Sequence, residues 1–200
     1  MDPGASNELD RSAAACLRWA SSPGTTMTRS MRILLSDTVR VWGGAERFVL
    51  DAAQGLRDRG HRPTVQAWPE GPLARRARSA GLPVLPTRTR ADGAFWTVLP
   101  LARRLRRRPP HVVLTTRDKD LRTTGLAARL SARGIAVVHS RECDEPLKDR
   151  PHVRFFHGRL ADHVLTNSEA TRRTTLGSAP WLPPVRVSVL PKGIDPEPFA

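Results

Sequence analysis

A doubly wound α/β domain, built on a mostly parallel sheet of about seven strands, is the fold class this sequence predicts. Three observations carry that expectation. Short apolar runs of strand length alternate with longer segments of helical spacing from Met31 onward. Glycines stand where the helices should end, at Gly60, Gly81 and Gly134. The first strand passes through the glycine pair Gly43-Gly44 into the first helix, a joint that parallel sheets place at their carboxyl edge.

The elements follow in order. Residues 33–35 are apolar, too few for a helix, and ended by Ser36 and Asp37, so they read as a buried strand. Phe48, Val49, Ala52, Ala53 and Leu56 then recur with helical spacing as far as Gly60. Residues 62–67 form a weaker second strand, 72–80 a short arginine-rich helix ended by Gly81, and 82–85 a third strand. A helix over 94–108, bent or begun at Pro100, is stopped by Pro109-Pro110 before a strand over 111–115. Asp118 is placed to cap a helix over 119–133, which Gly134 closes ahead of a fifth strand at 135–138. A loop holding Glu142, Asp144 and Glu145 leads to a helix around Val153, Phe156 and Leu160. Val164 and Leu165 centre a sixth strand, Ser168 caps a helix over 169–176, and 185–190 is the seventh strand. Right-handed crossovers between such units put helices on both faces of the sheet.

Residues 1–30 hold Gly, Ser, Thr and Asn with one short apolar patch around Cys16, Leu17 and Trp19. They read as a disordered leader or as the product of a start codon set too early, since Met27 and Met31 each offer a start. The remainder, 31–200, is of ordinary size for one domain.

Thirty-three Lys plus Arg against 19 Asp plus Glu give a net charge of +14, which invites a polyanion: nucleic acid, an acidic membrane or a phosphorylated substrate. Arginine supplies nearly all of it. Lysine occurs only at Lys119, Lys148 and Lys192, and alanine and proline are also abundant, so a compositional bias explains much of the charge and nucleic acid is not an expected partner. Cys16 and Cys143 are isolated thiols that suggest neither a disulfide framework nor a zinc site and fit a reducing cytosol. No apolar run has the length to span a bilayer, and 1–30 lack the core of a secretion signal. There is no nucleophile elbow, zinc-protease helix or dinucleotide fingerprint, and WGGAER is not a phosphate-binding loop ending in Gly-Lys-Ser/Thr. What the glycine turn offers is close backbone approach and the free N–H groups of a helix start, for which an anion is the natural guest.

Several landmarks, in the right order, resemble glycosyltransferase family 4. MRILLSD followed by WGGAERFVLDAAQGLRDRGHRPTV is similar to the family's opening strand, GGAE, amphipathic helix and RGH. ADHVLTNSEATRRTTL resembles its strand-then-serine segment, with Asp162 and Ser168 at matching positions, and VSVLPKGIDPEPFA resembles the signature that leads out of its first domain. The resemblance implies the GT-B architecture: two Rossmann-like domains with the active site in the cleft between them. The first mainly receives the acceptor, and the second holds the nucleotide sugar through paired glutamates. It further implies that 31–200 are the acceptor-side domain, that no donor-binding domain lies within the chain, and that the chain by itself is weak or inactive. Transfer would retain anomeric configuration, with a glycan, lipid or small molecule as acceptor, a separate donor domain as partner, and no metal or other cofactor.

By the same resemblance Gly43 and Gly44 match the loop that approaches the donor diphosphate, and Glu46 matches the glutamate of GGAE. Read from the residues alone, Glu46 is equally a first-turn carboxylate favoured by the helix dipole. His139 and Arg141 fall where the family often directs a histidine or arginine at the transferred sugar or acceptor, and which of them aligns is open. Lys192 replaces the usual asparagine before Gly193-Ile194-Asp195, and His111 stands where an aspartate commonly precedes the fourth strand, which bears on closure of the cleft. His152, His157 and His163 show no ligand spacing and are expected at the surface. Two other readings remain. One is a basic binding module for an anionic membrane or nucleic acid, with the helix at 95–108 as its best element, peripheral at the inner face of the membrane. The other is half of a GT-B sugar-nucleotide epimerase.

Overall fold

The strand that opens the fold, β1 (Arg32–Asp37), is buried on both faces, with Ile33 and Leu35 turned to one core and Leu34 to the other. That double burial is why it reads as an unbroken apolar run. The computed structural model describes residues 29–89, 95–131 and 134–192. The chain divides into two units, Met1–Ser30 and Met31–Ala200, and every described strand and helix belongs to the second.

Helix α1 (Gly44–Asp58) buries Ala45, Val49 and Ala53 along one face. Gly60 ends it at φ 80°, its N–H donating to the Arg57 carbonyl at 2.9 Å while the His61 N–H reaches back to Leu56 at 3.0 Å. This is the paired closure that satisfies the last helical carbonyls and needs a residue without a β-carbon. Strand β2 (Arg62–Ala67) follows, then α2 (Pro72–Ser79), which Gly81 closes in the same way, and β3 (Val84–Pro86). Helix α3 (Phe95–Arg107) runs through Pro100 and buries Val98, Leu101, Ala102 and Leu105. After β4 (Val112–Thr115), a short α4 (Asp118–Asp120) passes through a π-helical turn, Leu121–Gly125, into α5 (Leu126–Ser131). Strand β5 (Ala136–Arg141) leads to α6 (Pro151–Phe155), a second π turn, Phe156–Leu160, and β6 (His163–Thr166). Helix α7 (Glu169–Ser178), a 3₁₀ turn at Pro184–Arg186 and β7 (Val187–Val189) complete the described chain.

The strands form one sheet of seven, every pair parallel, in the order β3-β2-β1-β4-β5-β6-β7. This is the doubly wound α/β class the sequence predicts. Residues of α1 and α2 pack in one core with Ile33, Leu35 and Val65, and residues of α3 and α5 in the other with Leu34, Val113 and Val137. The strand order reverses between β1 and β4, which opens a crevice at their carboxyl ends.

Several boundaries differ from expectation, and the one that bears on the site is the fifth strand, expected at 135–138, which runs over Ala136–Arg141 and so carries His139 and Arg141 itself because pairing with β6 continues to Arg141 opposite Thr166. The helix expected over 119–133 carries the first π turn, where Thr124 joins a buried polar set across the sheet: its Oγ1 donates to Gln66 Oε1 at 3.1 Å and lies 3.3 Å from Ser36 Oγ. The helix around Val153 to Leu160 carries the second π turn. The third strand begins later, because pairing with β2 starts at Val84 opposite Val65. The seventh is shorter, because Pro184 begins a 3₁₀ turn where the strand was expected to start. The leader at 1–28, the start of the helix at 94, Arg133, and Gly193-Ile194-Asp195 lie outside the described residues. No described helix is long and apolar enough to cross a membrane.

Candidate functional site

A cavity of about 1120 Å³ opens at the carboxyl ends of β4 and β5, bordered by Gly44 and Ala45 of α1 on one side and Lys192 beyond β7 on another. Gly43 is the N-cap of α1, in extended conformation, and no side chain caps the helix start. The first-turn N–H groups of α1 therefore depend on water or a ligand. A β-carbon on Gly44 would meet nothing within 4 Å, whereas one on Gly43 would stand 3.2 Å from Glu46 Oε2. The two glycines thus have different reasons: Gly44 leaves the cavity open and Gly43 makes room for Glu46.

Glu46 is fully buried and does not line the cavity. Its Oε1 accepts a hydrogen bond from Arg117 Nη2 at 2.6 Å, and its Oε2 is buried without a hydrogen-bond partner. Arg117 does line the cavity, and its Nε lies 3.4 Å from Asp37 Oδ2. Asp37 also accepts from Thr116 Oγ1 at 2.7 Å and from the Val39 N–H at 3.1 Å. Burial, with Glu46 adding to it, pushes the Asp37 carboxyl up despite these bonds. Burial alone would lower Arg117, but Glu46 and Asp37 outweigh it and hold the guanidinium above its ordinary value.

The exits of β1 and β4 are tied together by Asp120, whose two oxygens accept from the Thr38 N–H at 3.0 Å and Thr38 Oγ1 at 2.5 Å. Burial raises its carboxyl to about 6, the Thr38 bonds acting against the shift. A folded-state value above the unfolded one makes Asp120 a source of stability at low pH that is lost as pH rises toward 6. Relative to Asp120→Asn, the wild-type chain should therefore gain about 2 kcal/mol on going from about pH 7 to about pH 4.5, read from urea unfolding at each pH. A pH-independent difference would refute it.

His139 and Arg141, two apart on β5, face the same side of the sheet and both line the cavity. His139 is 1% exposed. Its Nδ1 lies 2.9 Å from Thr115 Oγ1 and its Nε2 3.2 Å from Asp118 Oδ1. Burial pushes this imidazole down, the Asp118 contact opposing it. Burial likewise would raise Asp118, but His139 and His157 outweigh it and hold the carboxyl well below the usual range. Arg141 is buried with neutral partners only among the described residues: Nε donates to Thr175 Oγ1 at 3.1 Å and Nη2 to the Glu145 carbonyl. Lys192 pairs with the Glu142 carboxylate, which also accepts from Ser140 Oγ at 2.6 Å, and its ammonium sits 4.6 Å from the centre of the Phe48 ring. Ser168 caps α7 as expected, accepting from the Thr171 N–H at 3.1 Å. Asp162 accepts from the Val137 N–H at 2.7 Å and from Arg129 at 2.6 Å.

Two expectations are corrected. Asp118 is not the cap of its helix: Arg117 holds that position, and the Asp118 carboxylate turns instead to His139 and His157. His157 is not at the surface but 2% exposed, and His163 is half-buried with its Nε2 2.6 Å from Ser188 Oγ; His152 alone of the three is exposed. Sequence reasoning also missed Arg117. One signal for His157 was present, since it lies four residues after Val153 and three before Leu160, on the stripe that the apolar spacing turns inward.

Among curated proteins none matches this sequence significantly. Solved structures do. A glycosyltransferase from Rickettsia africae is similar with a TM-score of 0.70 at 15% identity, over 86% of this chain and 45% of that one. Anabaena Alr3699/HepE in complex with UDP-glucose matches with a TM-score of 0.66 at 19% identity, over 84% of this chain and 45% of that one. Acinetobacter baumannii MurG matches with a TM-score of 0.53 at 18% identity, over 72% of this chain and 42% of that one. The chain thus spans less than half the length of these structures, and at such identities the likeness is one of fold. The family model of glycosyltransferase family 4 matches residues 42–198, from just before the glycine pair to beyond the last strand, and on that match the chain belongs to glycosyltransferase family 4.

Proposed function

We propose that this chain supplies the acceptor-side half of a retaining glycosyltransferase that moves a sugar from a nucleotide-sugar donor to an acceptor. The observation that carries the reading is Arg141: a buried guanidinium at the cavity wall, held by a hydroxyl and a carbonyl and matched by no carboxylate among the described residues. A desolvated, uncompensated cation favours an anionic guest. The uncapped start of α1, across the same cavity at Gly44, favours one too. A sugar diphosphate presents that charge. Structures similar in fold were solved with UDP and UDP-glucose, which makes a uridine-diphosphate sugar the first donor to try. His139 then lies beside the transferred sugar, and the remainder of the cavity receives the acceptor. Cations and N–H groups supply the electrostatics, so the transfer calls on no metal. The family match favours transfer over epimerisation.

Binding and product analysis test this. The chain alone should bind UDP-glucose only weakly, in the millimolar range, and Arg141→Ala should abolish that binding. Supplied with a donor-binding domain and a glycan or lipid acceptor, it should form a product that keeps the donor's anomeric configuration by NMR. Micromolar binding by the chain alone, or an inverted product, would overturn the reading.

Contact with an anionic membrane is a second reading, favoured by α3. Trp96, Leu99, Arg103 and Arg106 share one helical face, Trp96 is 75% exposed, and the two arginines are exposed along that face where they can meet lipid phosphates. Such docking would place the protein at the inner face of the cytoplasmic membrane. Salt-sensitive sedimentation with phosphatidylglycerol vesicles, lost in Trp96→Ser, checks it.

A further inference from the structure

His139, in the second half of β5, and His157, in the π turn after α6, meet edge to face with ring centroids 5.2 Å apart. Each ring has one nitrogen anchored by the protein and the other directed at the same oxygen, Asp118 Oδ1. His157 decides what this arrangement means. Its Nδ1 lies 3.2 Å from the Val153 carbonyl, which can only accept, so Nδ1 carries the proton. In the neutral ring Nε2 is then a lone pair, 3.4 Å from a carboxylate oxygen, buried and without a hydrogen-bond partner. Two electron pairs facing one another across 3.4 Å at the cavity edge call for a cation between them, and a metal ion can join all three side chains where a proton on Nε2 joins only two.

We propose that Asp118, His139 and His157 are the protein ligands of a divalent transition-metal ion of the zinc class. Their three donor atoms all lie within 4.8 Å of one another. A tetrahedral ion with bonds of about 2.0–2.1 Å sets its ligands about 3.3 Å apart. The two contacts to Asp118 Oδ1 already have that spacing, at 3.2 Å and 3.4 Å, and the two imidazole nitrogens, within 4.8 Å of one another, would draw together on a bound ion. The outer partners are of the kind that orient metal-binding imidazoles: the Val153 carbonyl fixes the proton of His157, and the Thr115 hydroxyl, which can accept, lets His139 hold its proton on Nδ1 and offer Nε2. Both histidine side chains are almost wholly buried, whereas Asp118 is 47% exposed and lines the cavity, so a fourth position opens toward the cavity for water or an oxygen ligand. Two imidazoles and a carboxylate suit zinc and its neighbours better than magnesium or calcium, which prefer oxygen alone. The site shares His139 with the transfer step proposed above, but metal binding by the three side chains is argued and measured without that reading. An ion held there takes His139 Nε2, so the loaded and empty forms present different groups to the cavity.

The chain, stripped by chelator, is titrated with Co²⁺ as a coloured probe and with Zn²⁺ by calorimetry. One equivalent should bind, with the visible bands of tetrahedral cobalt, displaced by Zn²⁺. Asp118→Asn and His157→Gln should each weaken binding by about 100-fold, while His152→Gln, exposed at the cavity rim, should change it by less than about twofold. On the wild-type chain, long-range ¹H–¹⁵N spectra should show Zn²⁺ moving two of the six histidine rings. No binding up to about 1 mM metal, binding that His157→Gln leaves intact in a folded chain, or Zn²⁺ shifts confined to rings other than His139 and His157 would each overturn the proposal.

Discussion

Replacing Arg117 with methionine should lower the free energy of unfolding by about 3 kcal/mol, the largest loss of any single change at the cavity wall. The expectation rests on two carboxylates with no access to water, Asp37 and Glu46, which share this one guanidinium at 3.4 Å and 2.6 Å. Removing one partner of a buried ion pair leaves an uncompensated charge, usually at a cost of about 3–5 kcal/mol. The lower end applies because the Arg117 side chain is itself 39% exposed and partly screened. The loss should also depend on pH. Burial and Glu46 already push Asp37 up, and without Arg117 the pair can keep only one charge easily, so one carboxyl rises further in the folded state. A folded value above the unfolded one gives stability at low pH that disappears as pH rises, so the gap between wild type and variant should widen from about pH 5 to about pH 8. Urea unfolding at both values measures it. A loss below about 1 kcal/mol with no pH dependence would mean that water reaches the pair.

Arg117 also marks where sequence reading stops. The strands and helices of this chain were legible because each has a local cause: apolar runs buried on both faces, stripes at helical spacing, and glycines at Gly60 and Gly81 that close helices at positive φ. The position after β4 that makes Arg117 a partner for Glu46 has no local cause. It follows from β4 pairing with β1, a neighbour relation that periodicity does not encode. The π turns escaped notice for a related reason: one extra residue in a turn shifts the helical face by a step that tertiary packing selects. His157, in the second of them, was carried inward to meet Asp118 and His139, which come from two other elements. Glu46 was the case with two readings. Its place in the first turn of α1 is as the sequence suggests, but the partner that holds it there, Arg117, is one the helix dipole argument does not name.

Gly44→Leu should reduce sugar transfer about 100-fold while leaving stability unchanged or slightly higher. A β-carbon there has open space, and glycine is the poorer helix former, so the fold loses nothing and gains up to about 1 kcal/mol. The new side chain instead projects into the cavity beside the first-turn N–H groups, where the donor phosphates are proposed to lie, and displacing a reacting group by about 1 Å is enough for such a loss. Its neighbour separates the two effects. In Gly43→Ala the added carbon stands 3.2 Å from Glu46 Oε2, so it presses on the buried pair with Arg117 and stability falls along with activity. Thermal unfolding and initial transfer rates on both variants, each supplied with the same donor-binding domain, give the comparison. If Gly44→Leu transfers sugar at the wild-type rate, the start of α1 is only a turn between strand and helix, and the donor phosphates must approach from the Arg141 side of the cavity.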